Sequence, residues 1–228
     1  NSGIFALDKR LVEGLDRANP SIRRLDQSRI GAVLTGEAEP LFDGPPVTAM
    51  LIQNTNPMSV APEQGKVRRG FGRDDLFVAV HEQVMTETAA MADIVLPATM
   101  FVEHDDIYRG GGHQYILFGP KLVAPPAECR TNHQVIGGLA ARLGFDHPGF
   151  AMSEREHIDW MLRSSGRGTL ADLEANRWID CQPEFARAHF LDGFAQPDGR
   201  FRFKPDWTRV AAPNNGPMGP WPTLPVLP

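Results

Sequence analysis

The chain has 228 residues, room for one large domain or a medium one with appendages. Its 42% apolar and 22% charged residues are ordinary for a globular protein, and a net charge of −5 without a basic run disfavours sequence-independent binding to nucleic acid or anionic membrane. No apolar stretch approaches the roughly 20 residues that span a bilayer.

Twenty prolines and 22 glycines predict long irregular connections. The two cysteines, Cys129 and Cys181, fall short of the roughly four thiolates that a cysteine-ligated iron–sulfur cluster takes. Two unpaired thiols in a reducing compartment are the simplest reading of them, and a disulfide is the alternative. The chain opens Asn1-Ser2-Gly3, without a methionine or the charged and apolar regions of a signal peptide. It is expected to be processed or cut from a longer protein.

Residues 1–46 read as a leader segment with two short helices, near Asp8–Leu15 and Leu25–Leu34, the second stopped by Thr35-Gly36. Val47–Ile52 is a continuous apolar run, as in a strand buried on both faces, and it enters the polar turn Gln53-Asn54-Thr55-Asn56-Pro57. A helix is expected to follow from Pro62, a residue suited to a first helical position. Leu76–Val80 is a second strand ending in His81-Glu82-Gln83. Thr86–Ala92 has the alanine content of a helix, and Asp93–Leu96 closes at Pro97. Alternating strands and helices in about 50 residues are the rhythm of a parallel sheet, so the fold class is α/β, part of a doubly wound sheet.

Farther along, Gln114–Phe118 reads as a short strand approached through Gly110-Gly111-Gly112. Asn132–Leu143 is an amphipathic helix with Val135, Ile136, Leu139, Ala140 and Leu143 on one face and Gly144 as its stop. Ser153 and Glu156 have capping-box spacing. Pro197-Asp198-Gly199, between Phe194 and Phe201/Phe203, reads as a hairpin turn. The segments are therefore a leader (1–46), an α/β binding segment (47–145), a helical and hairpin extension (146–209) and a Pro-rich linker (210–228).

In an open parallel sheet, ligands sit at the carboxyl ends of the strands. Two turns qualify here. Gln53, Asn54, Thr55 and Asn56 offer side chains that donate and accept hydrogen bonds, although Asn and Pro are also common in plain strand-to-helix turns. In the second turn, Glu82 can accept from the N1–H and amino group of a guanine, or from a ribose hydroxyl. Thr86, at a helix start, can meet a phosphate. The plainer reading makes Thr86 a helix cap and Glu82 a solvated charge.

Glu103-His104-Asp105-Asp106 has metal-ligand residue types, but adjacent positions point in different directions, and a solvated loop is the plainer reading. Cys129 and His133 have the types of a nucleophile and its base, with nothing to supply an oxyanion hole; a structural Cys is the alternative. Neither a Gly-x-Gly-x-x-Gly after a strand nor a Gly-x-x-x-x-Gly-Lys-Ser/Thr is present, which removes the usual support for dinucleotide dehydrogenases and nucleoside triphosphatases.

The segment HEQVMTETAAMADIVLPAT, His81–Thr99, resembles the T-x-T-A-x-x-A-D-(hydrophobic)-(hydrophobic)-L-P stretch of the molybdopterin oxidoreductase superfamily of formate dehydrogenases, nitrate reductases and dimethyl sulfoxide reductases. Thr86, Thr88, Ala89, Ala92, Asp93, Leu96 and Pro97 fall on that pattern. Gln53–Pro57 resembles the family's strand-end turn, and Glu103 stands where the family has a Glu. TNHQVIGGLAARLG resembles its D-W-x-(I/V)…L-A-x-x-L-G helix, with Asn132-His133 in place of Asp-Trp. FAQPDGRFRF resembles the approach to the family's C-terminal barrel.

The resemblance implies a bacterial two-electron oxidoreductase whose molybdopterin guanine dinucleotide cofactor carries molybdenum or tungsten. One nucleotide arm would lie across these strand ends, with Gln53, Asn54, Thr55 and Asn56 near pyrophosphate and sugar, Glu82 on guanine and Thr86 beside it. The family's iron–sulfur segment, its metal-ligating residue and its final barrel have no counterpart here, so no catalytic residue and no metal ligand is assigned, and the segment alone is expected to be inactive. The implied partners are the remaining domains of a parent chain and an electron-transfer subunit, in the cytoplasm, with the periplasm as the alternative. Two further readings stand beside this one: a metal-free structural relative in an electron-transfer complex, and a stand-alone nucleotide-binding module.

Overall fold

The structure, a computed structural model, describes residues 7–12, 14, 17, 19, 21–110, 112–194 and 196–203. The three apolar runs become strands β1 (Ala49–Gln53), β2 (Phe77–Glu82) and β3 (Ile94–Pro97). They lie in the order β1-β2-β3 with both pairings parallel, Gln53 opposite His81 and Glu82 opposite Pro97. This is the α/β architecture expected from the alternation of elements.

Helices α1 (Ile30–Leu34), α2 (Pro57–Val60), α3 (Gln64–Phe71) and α4 (Glu87–Ala90) flank this sheet. Their Leu34, Met58, Val67, Phe71 and Ala89 form one core with Ile52, Val78 and Val80. Strand side chains alternate between faces, so Leu51, Phe77 and Ile94 point the other way and are exposed. Burial on both faces, expected for Val47–Ile52, is therefore corrected: among the described residues the helices cover one face. Two glycines let α1 and α3 approach closely. A Cβ on Gly31 would lie 2.8 Å from the Lys66 Cβ, and one on Gly70 would lie 2.4 Å from the Leu34 Cβ.

Helix starts also differ from expectation. Pro57, not Pro62, takes a first-turn position, and Glu63 turns the chain into α3 with φ of 55°. The helix expected over Leu25–Leu34 begins at Gln27 as a 3-10 turn capped by the Asp26 side chain, then continues as α1. The helix expected near Asp8–Leu15 gives way to a turn at Arg10–Val12. There the Asp8 carboxylate takes both the N–H and the guanidinium of Arg10, a local competitor for helical bonding. Glu13 and Leu15 lie outside the described residues.

Residues 98–200, with the described residues of 7–19, form a second compact unit; residues 21–97 and 201–203 belong to the first. The expected 47–145 segment thus contributes to both. The strand expected at Gln114–Phe118 is β5 (Tyr115–Gly119), placed between two strands that the residue pattern leaves unmarked, β4 (Asp106–Arg109) and β6 (Trp178–Asp180), all antiparallel. Helix α5 (Asn132–Leu143) spans its expected range, with a Thr131–Gln134 capping box and Gly144 at φ 74° as its stop. Only Val135 and Ala140 of its apolar face are buried, while Ile136, Leu139 and Leu143 are exposed. Helix α6 (Glu154–Ser164) has the expected Ser153–Glu156 box, and α7 (Leu170–Asn176) follows. Ile158, Leu162, Leu170 and Leu173 from these two helices pack on Ile116 and Phe118. After α8 (Phe185–Ala188), the turn at Pro197–Gly199 forms, with the Phe194 N–H on the Gly199 carbonyl at 2.8 Å. No strand flanks it among the described residues, and the Pro-rich 210–228 segment lies outside them.

Candidate functional site

The parallel sheet brings the two predicted turns together at its carboxyl end. Asn54 adopts φ of 58°, a left-handed conformation that Asn tolerates, and the chain reverses toward α2. The Gln53 amide donates to Nδ1 of His81 at 3.1 Å, across the β1–β2 register pair. His81 is 1% exposed. Thr55 is exposed at the tip of the turn.

Asn56 is occupied inside the chain. Its Oδ1 accepts from the Thr88 hydroxyl at 2.6 Å and the Thr88 N–H at 3.3 Å, and its Nδ2 donates to the Glu87 carboxylate at 2.9 Å. Thr88 is fully buried, and its hydroxyl also accepts from the Met58 N–H at 3.1 Å. Ser59 donates to the same Glu87 oxygen at 2.8 Å. Bonds from Asn56 first and Ser59 second hold the Glu87 carboxyl down at about 2. A carboxylate fixed there makes the Asn56 end of the turn less suited to an anion than the Asn54–Thr55 end.

Thr86 is the cap of α4: its hydroxyl oxygen accepts from the Ala89 N–H at 3.1 Å. Half-buried Glu82 accepts from the Gln83 N–H through Oε1 at 2.8 Å, and its Oε2 has no partner among the described residues. Asp93 accepts from the Val78 N–H at 2.7 Å, fastening β3 to β2. Most polar side chains of the T-x-T-A-x-x-A-D stretch are thus spent on architecture. Exposed Thr55 and the second carboxylate oxygen of Glu82 are not used in these contacts.

The weaker candidates separate. Glu103 caps the Met100 N–H, Asp105 accepts from Lys121 and pairs with Arg155, and His104 bonds the Thr99 hydroxyl. His133 donates through Nε2 to the Met152 carbonyl at 2.7 Å, and Cys129 is a free thiol. A cavity of about 610 Å³ lies beside the start of α5, lined by Arg130, Gln134, Gly137 and Phe150 among others, in the compact unit that lacks the two turns. A pair of histidines escaped the sequence reading. His157 donates to the Gly149 carbonyl at 2.7 Å with its ring 4.7 Å from that of His133, and no spacing rule marks two residues 24 positions apart.

Comparison with known proteins places this sheet. Residues 37–142, which include both turns, match the molybdopterin oxidoreductase family model. The chain carries a segment of the molybdopterin oxidoreductase family. It is 38% identical over 175 residues to the probable oxidoreductase YoaE of Bacillus subtilis, covering 76% of this chain and 25% of that protein. It is 33% identical over 100 residues to formate dehydrogenase H of Escherichia coli, covering 43% of this chain and 14% of that protein. Acetylene hydratase from Pelobacter acetylenicus shares the fold with a TM-score of 0.59 and 21% identity, over 77% of this chain and 23% of that one. The chain thus spans a quarter or less of the length of each of these three proteins.

Proposed function

We propose that this molybdopterin oxidoreductase segment holds one guanine dinucleotide arm of a molybdenum or tungsten cofactor within the catalytic subunit of a two-electron oxidoreductase. The observation that carries the reading is the meeting of the Gln53–Asn56 turn with Glu82 at the carboxyl end of a parallel sheet. Glu82 suits guanine, whose N1–H and amino group are adjacent donors, and does not suit adenine, whose corresponding edge pairs one donor with one acceptor. Asn54 and Thr55 meet sugar and phosphate, Gln53 is steered by His81, and Thr86 and Asn56 keep the turns in shape. When bound, the cofactor's metal supplies the redox chemistry, while these residues bind and orient the arm.

The rest of a longer polypeptide then supplies the iron–sulfur cluster, the metal ligand and contacts to an electron-transfer subunit. Exposed apolar side chains on the parallel sheet and on α5 favour this reading over a stand-alone nucleotide-binding module. No helix among the described residues is long and apolar enough to cross a membrane. The free thiols Cys129 and Cys181 suit a reducing compartment, so we assign the cytoplasm.

Calorimetry on the 228-residue chain tests the reading. GDP is expected to bind at least about tenfold more tightly than ADP, the scale of one charge-assisted hydrogen bond. Glu82→Ala is expected to abolish that preference. Equal affinity for the two nucleotides in the unaltered chain overturns it.

A further inference from the structure

Within the nucleotide-binding reading, on which this inference rests, the contacts around Asn56 have a second consequence. Asn56 reaches 32 residues along the chain to Thr88, and the Thr88 hydroxyl is used twice: it donates to Asn56 and accepts from the Met58 N–H. One buried hydroxyl therefore fixes both the last residue of the turn and the first turn of α2. Nothing else in its surroundings calls for a threonine: Thr88 is 0% exposed, on a helix of four residues, where alanine would be the better helix former. A hydroxyl buried at that position is there for its hydrogen bonds.

The effect of these bonds falls on Asn54 and Thr55. Asn54 sits at φ 58°, which costs free energy and persists only where the surroundings impose it. On one side of it, Gln53 is anchored to His81; on the other, Asn56 is anchored to Thr88 and Glu87. With both flanks held, the backbone between them keeps one shape without a ligand. We infer that Thr88 is a positioning residue for nucleotide binding, fixing through Asn56 the Asn54–Thr55 backbone that meets the phosphates, with no ligand contact of its own.

This role separates from that of Glu82 by ligand. Glu82 meets the base, so its loss is felt equally by guanosine and GDP. Thr88 acts on the part of the turn that meets sugar and phosphate, so its loss falls mainly on GDP and far less on guanosine, which lacks the phosphates. Calorimetry with GDP and with guanosine on the full chain reads this directly. Thr88→Val, which keeps the shape and removes the hydroxyl, is expected to weaken GDP about tenfold and to leave guanosine within about twofold. Thr88→Ser, which restores the hydroxyl, is expected to return GDP to its original affinity. Amide hydrogen exchange without nucleotide supplies the second readout: Thr88→Val is expected to speed exchange at Asn54 and Thr55, while Ile116 on β5 keeps its protection.

Unchanged GDP affinity in Thr88→Val overturns the inference, as does an equal loss for GDP and guanosine or a failure of Thr88→Ser to rescue. Failure of the underlying reading is distinct, because it appears in the unaltered chain as equal affinity for GDP and ADP. Weaker binding of GDP with faster exchange confined to the turn, and guanosine within about twofold, establishes the positioning role.

Discussion

The parallel sheet β1–β3 and the antiparallel sheet β4–β6 each bury one face against helices, and their other faces differ in chemistry. The uncovered face of the parallel sheet is aliphatic and aromatic hydrocarbon: Leu51, Phe77 and Ile94, all exposed. On the antiparallel sheet, Tyr108, Leu117 and Trp178 stand in register across three strands, with Tyr115 edge-on to Trp178 at 5.1 Å. There the Tyr108 hydroxyl finds the Phe101 carbonyl at 3.1 Å. Aromatic rings with polar tips tolerate a boundary with water, whereas a hydrocarbon face does not. The first face is built to be covered; the second can end the protein. The sheet with the hydrocarbon outer face is also the one whose strand ends carry the Gln53–Asn56 turn and Glu82.

The largest effect in this comparison is expected where the two sheets are alike, in their cores. Leu162 is fully buried against β5, and Leu162→Ala is expected to cost about 2–5 kcal/mol of stability by denaturant unfolding. Val80→Ala, equally buried in the parallel sheet, removes fewer atoms and is expected to cost less. A smaller loss at Leu162 than at Val80 would show that the antiparallel core is the looser of the two. The uncovered faces should then diverge. The chain is expected to self-associate through its exposed parallel-sheet face as concentration rises in sedimentation velocity, and Phe77→Lys to lower that association without lowering the unfolding midpoint. Trp178→Gln is expected to change association less. Equal effects would remove the distinction between the two faces.

Much of the parallel half was legible in the sequence, because its strands are short apolar runs between turn residues and each pairs with its neighbour in sequence. The strand ends followed from that order, so Gln53–Asn56 and Glu82 could be named together. The engagement of Asn56 with Thr88 could not, since residue types do not reveal which of several polar side chains meet across 32 positions. In the antiparallel half, α5 and the Ser153–Glu156 box were legible from periodicity and spacing. The boxes at Thr131–Gln134 and Thr169–Asp172 have the same spacing, the second at the start of α7; without a longer apolar periodicity behind it, that short spacing is common in loops too. Strand β6 has three residues and pairs with β5 across more than 60, too short a run and too long a separation for a pattern to register.

The smallest expected effect concerns pH and belongs to the antiparallel unit. Burial pushes the pKa of His157 below its usual 6.5; the Gly149 carbonyl opposes this and His133 adds to it. Its Nδ1 is buried with no hydrogen-bond partner among the described residues, so a proton placed there gains no acceptor from them. Below 6.5 the unfolded chain therefore takes up this proton before the folded one does. Stability from this group is complete above 6.5 and is lost as pH falls toward the lowered folded value. Carboxylates contribute their own slope in acid, so the comparison must be between variant and parent. His157→Gln, which keeps a donor for the Gly149 carbonyl and cannot take a proton, is expected to lose less stability than the parent between about pH 8 and about pH 5. An identical loss in both would mean that the His157 ring is hydrated in solution and that the His133–His157 contact does not restrain its protonation.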